Sequence, residues 1–152
     1  MVKKRKTILT TGAFDIIHPG HVSMLWAAKK LGGRNARLVV VIARNETVKR
    51  NKNREPVFDE KLRRAIVENL KPVDKAILGF KPFSFEKVIK KIKPDMVVFG
   101  YDQTELRKSF EKFCKDRGLK IRVVTVRKFG GRGINSSSDV FKRILEMGRR
   151  AR

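Results

Sequence analysis

The feature that most constrains this chain is an alternation of two periodicities. Short β-branched or apolar runs, each cut off by glycine or a polar stretch, take turns with longer stretches of helical spacing. Residues 6–11 read as a strand ending at Gly12. Pro19 suits the first turn of a helix that runs to Leu31 and stops at Gly32 and Gly33, with Val22, Leu25, Trp26 and Ala28 on its apolar face. Residues 37–43 hold the longest apolar run and read as a strand covered on both faces. Residues 44–55 are polar, basic and without periodicity, which reads as a loop. Asp59 caps a helix through Leu70, with Leu62, Ile66 and Leu70 in register. The pattern repeats with a strand over 74–79, a helix over 85–92 ended by Pro94, a strand over 96–99 stopped by Gly100, a helix over 104–117 ended by Gly118, and a strand over 120–126. A glycine-rich loop over 129–135 precedes a last helix, capped by Ser136 or Ser137 and running to Met147.

Strand and helix in strict turn, with about five strands, predict an α/β, Rossmann-like parallel sheet with helices on both faces. The 152 residues fit one domain at roughly 150 residues per domain. No internal repeat and no linker breaks the chain. In open parallel sheets ligands bind beyond the carboxyl ends of the strands, where the strand order switches. The segments that follow strands are therefore the ones to inspect: 12–21, 44–55, 100–103 and 129–138.

Composition removes several function classes. The longest apolar run, Leu38 to Ala43, is far short of the roughly 20 residues that span a bilayer. The basic start, Met1-Val2-Lys3-Lys4-Arg5-Lys6, leads into too little apolar chain for a signal peptide. Cys114 is the only cysteine, which excludes an internal disulfide and a multi-cysteine metal site and makes the cytoplasm the expected location. Thirty-eight Lys and Arg against fifteen Asp and Glu give +23. Such a field gathers nucleotides, phosphorylated metabolites or nucleic acid. Nucleic acid as the main partner is disfavoured, because the aromatics are mostly Phe inside periodic apolar patterns rather than an exposed stacking series.

The strand-end segments carry the chemistry. In 11–21, Gly12 lets the backbone turn tightly beneath a ligand. His18 and His21 stand three residues apart at a helix start, so both rings can face one point, and Gly20 leaves space there. The free N–H groups of that helix start favour phosphate. Asp102 follows a strand and a glycine, either at the ligand edge or as the cap of the next helix. In 130–138, flexible backbone and hydroxyls at a helix start make a phosphate nest. No triad, thiolate or carboxylate pair is evident. The protein side chains thus supply no metal site, and a divalent ion, most simply Mg²⁺, would be held mainly by phosphates.

The string Gly12-Ala13-Phe14-Asp15-Ile16-Ile17-His18-Pro19-Gly20-His21 resembles the signature of the small nucleotidylyltransferases, nearest the glycerol-3-phosphate cytidylyltransferase group and the archaeal FAD synthases. The likeness covers nearly the whole chain. It implies that His18 and His21 donate to the α-phosphate, with Gly12, Ala13 and Phe14 beside the nucleotide and Asp15 near the second substrate. It implies a lysine in 44–54 on the nucleotide phosphates, Lys52 or else Lys49, and an arginine, Arg63, ten residues before Val73, on phosphate too. Gly133-Ile134 with Ser136 and Ser137 is similar to the family's Arg-Thr-x-Gly-Ile-Ser-Thr-Thr motif. Gly130 stands at the arginine position and Asn135 at a serine position. Arg132, Arg127 or Lys128 is left to provide the missing charge on the nucleotide. Gly100-Tyr101-Asp102-Gln103 is closer to the archaeal FAD synthases, which implies ATP and FMN as substrates, with Tyr101, Asp102 and Phe129 by the flavin. CTP with glycerol-3-phosphate is the alternative. A homodimer is common in the family.

Overall fold

The computed structural model describes residues 3–152; Met1 and Val2, the first two residues of the basic start, lie outside the described residues. The elements follow one another as β1 (Thr7–Gly12), α1 (Pro19–Leu31), β2 (Arg37–Ile42), α2 (Asn45–Lys52), α3 (Glu60–Glu68), β3 (Lys75–Leu78), α4 (Phe85–Ile92), β4 (Met96–Phe99), α5 (Thr104–Asp116), β5 (Arg122–Thr125) and α6 (Ser137–Arg150). The strands form one sheet in the order β3-β2-β1-β4-β5, every pairing parallel. This is the Rossmann-like α/β architecture that the alternation predicts.

Successive strand residues point to opposite faces, and each face has its own core. Ile8, Val40 and Val98 pack with Leu25 and Ala28 of α1 and Val67 of α3. Leu9, Val41 and Val97 pack with Val88 of α4 and with Phe110 and Cys114 of α5. Along the edge formed by β3 and Gly79, two carbonyls that a bare edge would leave open accept from arginines. Arg64 donates to the Ala76 carbonyl, and Arg44 Nε donates to the Gly79 carbonyl at 2.5 Å. At the other edge the Arg107 guanidinium covers the Thr125 hydroxyl of β5.

Three readings of the sequence change. The loop expected over 44–55 is largely the helix α2, in which only Val48 is buried. A helix exposed on nearly every side shows no apolar period. Its signals are electrostatic: Glu46 in the first turn, Lys49, Arg50 and Lys52 in the last, and a left-handed Asn53 as cap. In α3 the buried residues are Arg63 and Val67, while Leu62 and Ile66 are 53% and 38% exposed. The inward face is thus one residue out of the expected register, because an arginine occupies a core position. Trp26 is exposed rather than part of the inner face of α1. The register of α3 is testable by denaturant unfolding. Val67→Ala should cost about 1.5–3 kcal/mol, the value of a fully buried Val, whereas Leu62→Ala should stay within about 0.5 kcal/mol.

Candidate active site

β1 and β4 are neighbours, and the chain leaves them for opposite sides of the sheet, β1 toward β2 and β4 toward β5. Thr10 Oγ1 donates to the Val98 carbonyl at 2.8 Å, and the Gln103 side chain spans the gap beyond. Its Oε1 accepts from Gly100 N at 2.7 Å and its Nε2 donates to the Thr11 carbonyl at 2.9 Å. A cleft of about 580 Å³ opens at this switch. The start of α1, Lys52 and Arg54, residues 100–102, residues 126–129 and the start of α6 form its walls.

The two histidines sit together there. His18 is the N-cap of α1, and its Nδ1 accepts from Gly20 N at 3.1 Å, which assigns its proton to Nε2. The rings of His18 and His21 stack with centroids 3.7 Å apart, and Phe14 backs His21 at 5.2 Å. Burial lowers the pKa of His18, Lys52 lowers it further, and Asp139 opposes both. His21 is pushed down to about 3, by burial first and then by His18 and Lys52. The site therefore offers neutral imidazole donors rather than fixed cations. Gly20 is needed for the protein itself: a Cβ there would strike the Asn135 carbonyl and the His18 ring. The space expected beside Gly20 is taken by the 130–135 loop.

Lys52 lines the cleft, where burial and then Arg54 lower its pKa. Lys49 points away and pairs with Glu55 at 2.6 Å. Asp102, Tyr101, Phe129, Ser136 and Ser137 all reach the cleft, with Lys128 Nζ 5.6 Å from the Tyr101 ring centre. Asp102 does not cap α5, whose cap residue is Gln103. Ser136 caps α6, accepting from Asp139 N at 3.1 Å. Asn135 also lines the cleft and steadies its own loop, donating to the Gly131 carbonyl at 2.9 Å. Arg127 and Lys128 line the cleft; Arg132 is exposed and does not.

Other expected site residues lie beneath the cleft instead. Arg63 is fully buried and donates to the carbonyls of Phe58 at 2.9 Å and Ala13 at 2.7 Å, and to Asn45 Oδ1 at 2.7 Å. A guanidinium so placed is held by the protein and does not reach a phosphate in the cleft. Asp15 is buried, accepting from Val57 N at 2.8 Å and Phe58 N at 2.9 Å, and is likewise withheld from a second substrate. Gly12, Ala13 and Phe14 also stand outside the cleft walls, and a Cβ on Gly12 would meet the Phe14 ring. Arg54, Ser23 and Gln103 are placed at the site without having been singled out. A basic residue two positions after Lys52 was the one available signal for Arg54.

A parallel sheet whose switch point carries paired imidazoles, cations and a hydroxyl-capped helix start is built to handle nucleotide phosphates. Residues 9–144 match the cytidylyltransferase-like family, the chain belongs to that family, and it is a nucleotidyltransferase enzyme. Among curated proteins it is similar to the FAD synthase of Aciduliprofundum boonei, 43% identical over 91% of this chain and 90% of that one. It is also similar to the FAD synthase of Korarchaeum cryptofilum, 40% identical over 97% of both. Among solved structures, a lipopolysaccharide core biosynthesis protein from Thermoplasma volcanium superposes with a TM-score of 0.69 at 38% identity, covering 83% of this chain and 99% of that one.

The lowered histidine pKa has a measurable sign. Between 6.5 and about 3 the unfolded chain holds a proton on residue 21 that the native state does not. Stability present above pH 6.5 is therefore lost as pH falls, by up to about 1.4 kcal/mol per unit from this group. From pH 6.5 to about 4.5, above the ordinary carboxylate range, the slope of unfolding free energy against pH should be positive and should flatten in His21→Asn.

Proposed function

We propose that this enzyme is an FAD synthase, joining the AMP moiety of ATP to FMN and releasing pyrophosphate. The observation that carries the reading is the cleft itself, which imidazole and cationic donors line together with Tyr101 and Phe129. The curated relatives named FAD synthase support it over nearly their full length. A flat ring system needs an apolar slot with few polar groups, which Tyr101 and Phe129 provide and a three-carbon acceptor does not need.

In this reading an FMN phosphate oxygen attacks the ATP α-phosphorus in line, the bond from that phosphorus to the β-phosphate bridging oxygen breaks, and pyrophosphate departs with the electron pair. The protein supplies position and charge. His18 Nε2–H and His21 face the α-phosphate, and Lys52 holds the departing phosphates with Arg127 and Lys128. The hydroxyls of Ser136 and Ser137 and the N–H groups at the start of α6 receive phosphate oxygens. Asp102 is the single carboxylate in the cleft wall, and no group of three or more metal-ligating side chains occurs among the described residues. That donor set fits Mg²⁺ held mainly by phosphates, and Asp102 is the one side chain of the cleft wall that could help to hold it. Mg²⁺ would neutralise charge building on the phosphate oxygens.

No helix among the described residues is long and apolar enough to cross a membrane, and with one cysteine we place the enzyme in the cytoplasm. We also propose a homodimer, for which the exposed apolar side chains Leu62 and Ile66 of α3 and Ile144, Leu145 and Met147 of α6 are candidate contacts.

Purified enzyme with Mg²⁺ should turn ATP and FMN into FAD and pyrophosphate, read by chromatography. A CDP-linked product from CTP and glycerol-3-phosphate, with FMN left untouched beside ATP, would replace this reading with the cytidylyltransferase one. His18→Ala and His21→Ala should each lower turnover about 10²–10³-fold, the loss typical of one preorganised donor. Lys52→Ala should weaken ATP use by about 1.5–3 kcal/mol, while Lys49→Ala should match the parent.

A further inference from the structure

Arg54 has no part in the expectations above, yet its setting is unlike that of any other arginine here. The chain leaves α2 through Asn53, at φ 52°, and turns Arg54 into the cleft wall beside Lys52. Its guanidinium carbon lies 4.2 Å from the centre of the Phe141 ring, in the first turns of α6. Its Nη1 forms an ion pair with Asp15 Oδ2 at 3.8 Å, while the two Asp15 oxygens accept hydrogen bonds from the backbone N–H groups of Val57 and Phe58. Nη1 is buried and has no hydrogen-bond acceptor among the described residues. By contrast Arg63, nine positions on, has three protein acceptors.

A planar fork held against an aromatic face, with Nη1 turned down toward Asp15 and the side chain still 33% exposed along the cleft wall beside Lys52, is suited to a tetrahedral oxyanion. Resting on the nucleotidyl-transfer reading, we propose that Arg54 binds the pyrophosphate portion of the nucleotide and that Phe141 is its positioning residue. Phe141 touches no substrate in this proposal. It fixes the plane of the guanidinium, so that the donor edge meets the anion without a search over rotamers. Because α6 also presents Ser136, Ser137 and Ser138 to the cleft, the stack locks the loop after α2 to the hydroxyl-bearing helix start.

Inorganic pyrophosphate is the probe, because its binding does not depend on which base or acceptor the enzyme takes. In calorimetric titrations with Mg²⁺, Arg54→Ala should weaken pyrophosphate about 10- to 100-fold, the loss of a charge-assisted contact. Arg54→Lys should recover little, lacking both fork and stack. Phe141→Leu should weaken it about three- to fivefold, and Phe141→Tyr should restore it. The double variant Arg54→Ala/Phe141→Leu should be no worse than Arg54→Ala alone, since Phe141 acts only through the arginine. In turnover, Phe141→Leu should raise KM for the nucleotide with kcat within about twofold, and its thermal unfolding should match Phe141→Tyr. Unchanged pyrophosphate affinity in Arg54→Ala, or none in the parent enzyme, would overturn the assignment of Arg54. Additive losses in the double variant would overturn that of Phe141. Should the flavin reading fail in product analysis, the pyrophosphate titrations still decide this proposal.

Discussion

The cleft rests on a buried arginine. Arg63 gathers the Ala13 carbonyl from the turn after β1, the Asn45 side chain at the start of α2 and the Phe58 carbonyl before α3. Asp15 completes the floor by accepting from Val57 N and Phe58 N, and its own carbonyl accepts from Ser137 Oγ of α6 at 3.3 Å. Segments that carry His18, Lys52, Arg54 and the α6 start are thereby joined below the surface they share. Burying a charge is costly unless its donors are matched. Here three acceptors in fixed geometry meet it, so the arrangement tolerates little sliding of one loop against another. Preorganisation of that kind is what a cleft without a protein nucleophile requires, since positioning is most of its contribution.

The sheet explains why the cleft lies where it does. Reversal of the strand order between the parallel neighbours β1 and β4 leaves a gap above their ends, and Gln103 closes its lower part by joining Gly100 N to the Thr11 carbonyl. Near that bridge Gly20 leaves room between the Asn135 carbonyl and the His18 ring that no larger residue could occupy. His21 is thus held between the Phe14 ring and the stacked His18 ring. Burial lowers the pKa of both histidines and keeps them neutral, so that an imidazole N–H can be offered to an anion without a proton having first to be acquired.

Much of this was legible along the chain, and the failures share one cause. Strands and their order of appearance followed from β-branched runs, and His18 with His21 followed from spacing at a helix start. Asp102, Tyr101, Phe129, Ser136 and Ser137 also reach the cleft that the strand-end rule indicated. What misled was the assumption that polar residues face solvent or ligand. Arg63 and Asp15 face inward because their partners are backbone groups from remote segments, and no local pattern shows a backbone acceptor waiting in the core. The same burial turned α3 by one residue and left Leu62 and Ile66 outside. Helix α2 escaped notice because Val48 alone is buried, so the helix has charge order but no apolar stripe.

The +23 charge acquires a narrower meaning once partners are assigned. Most of the acidic side chains are engaged in ion pairs on the surface, such as Arg64 with Glu68 and Lys112 with Asp116. The remaining cations form a diffuse field that salt screens within about 10 Å. Such a field gathers anions of any kind and discriminates among none. Selectivity falls to the few basic groups in the cleft, where reduced hydration strengthens each contact. Arg54 and Arg63 make the distinction plain. Both are arginines near the same cleft, yet one has its donors satisfied by the protein and the other does not. Placement of acceptors, not the number of positive charges, decides which cations the protein itself satisfies.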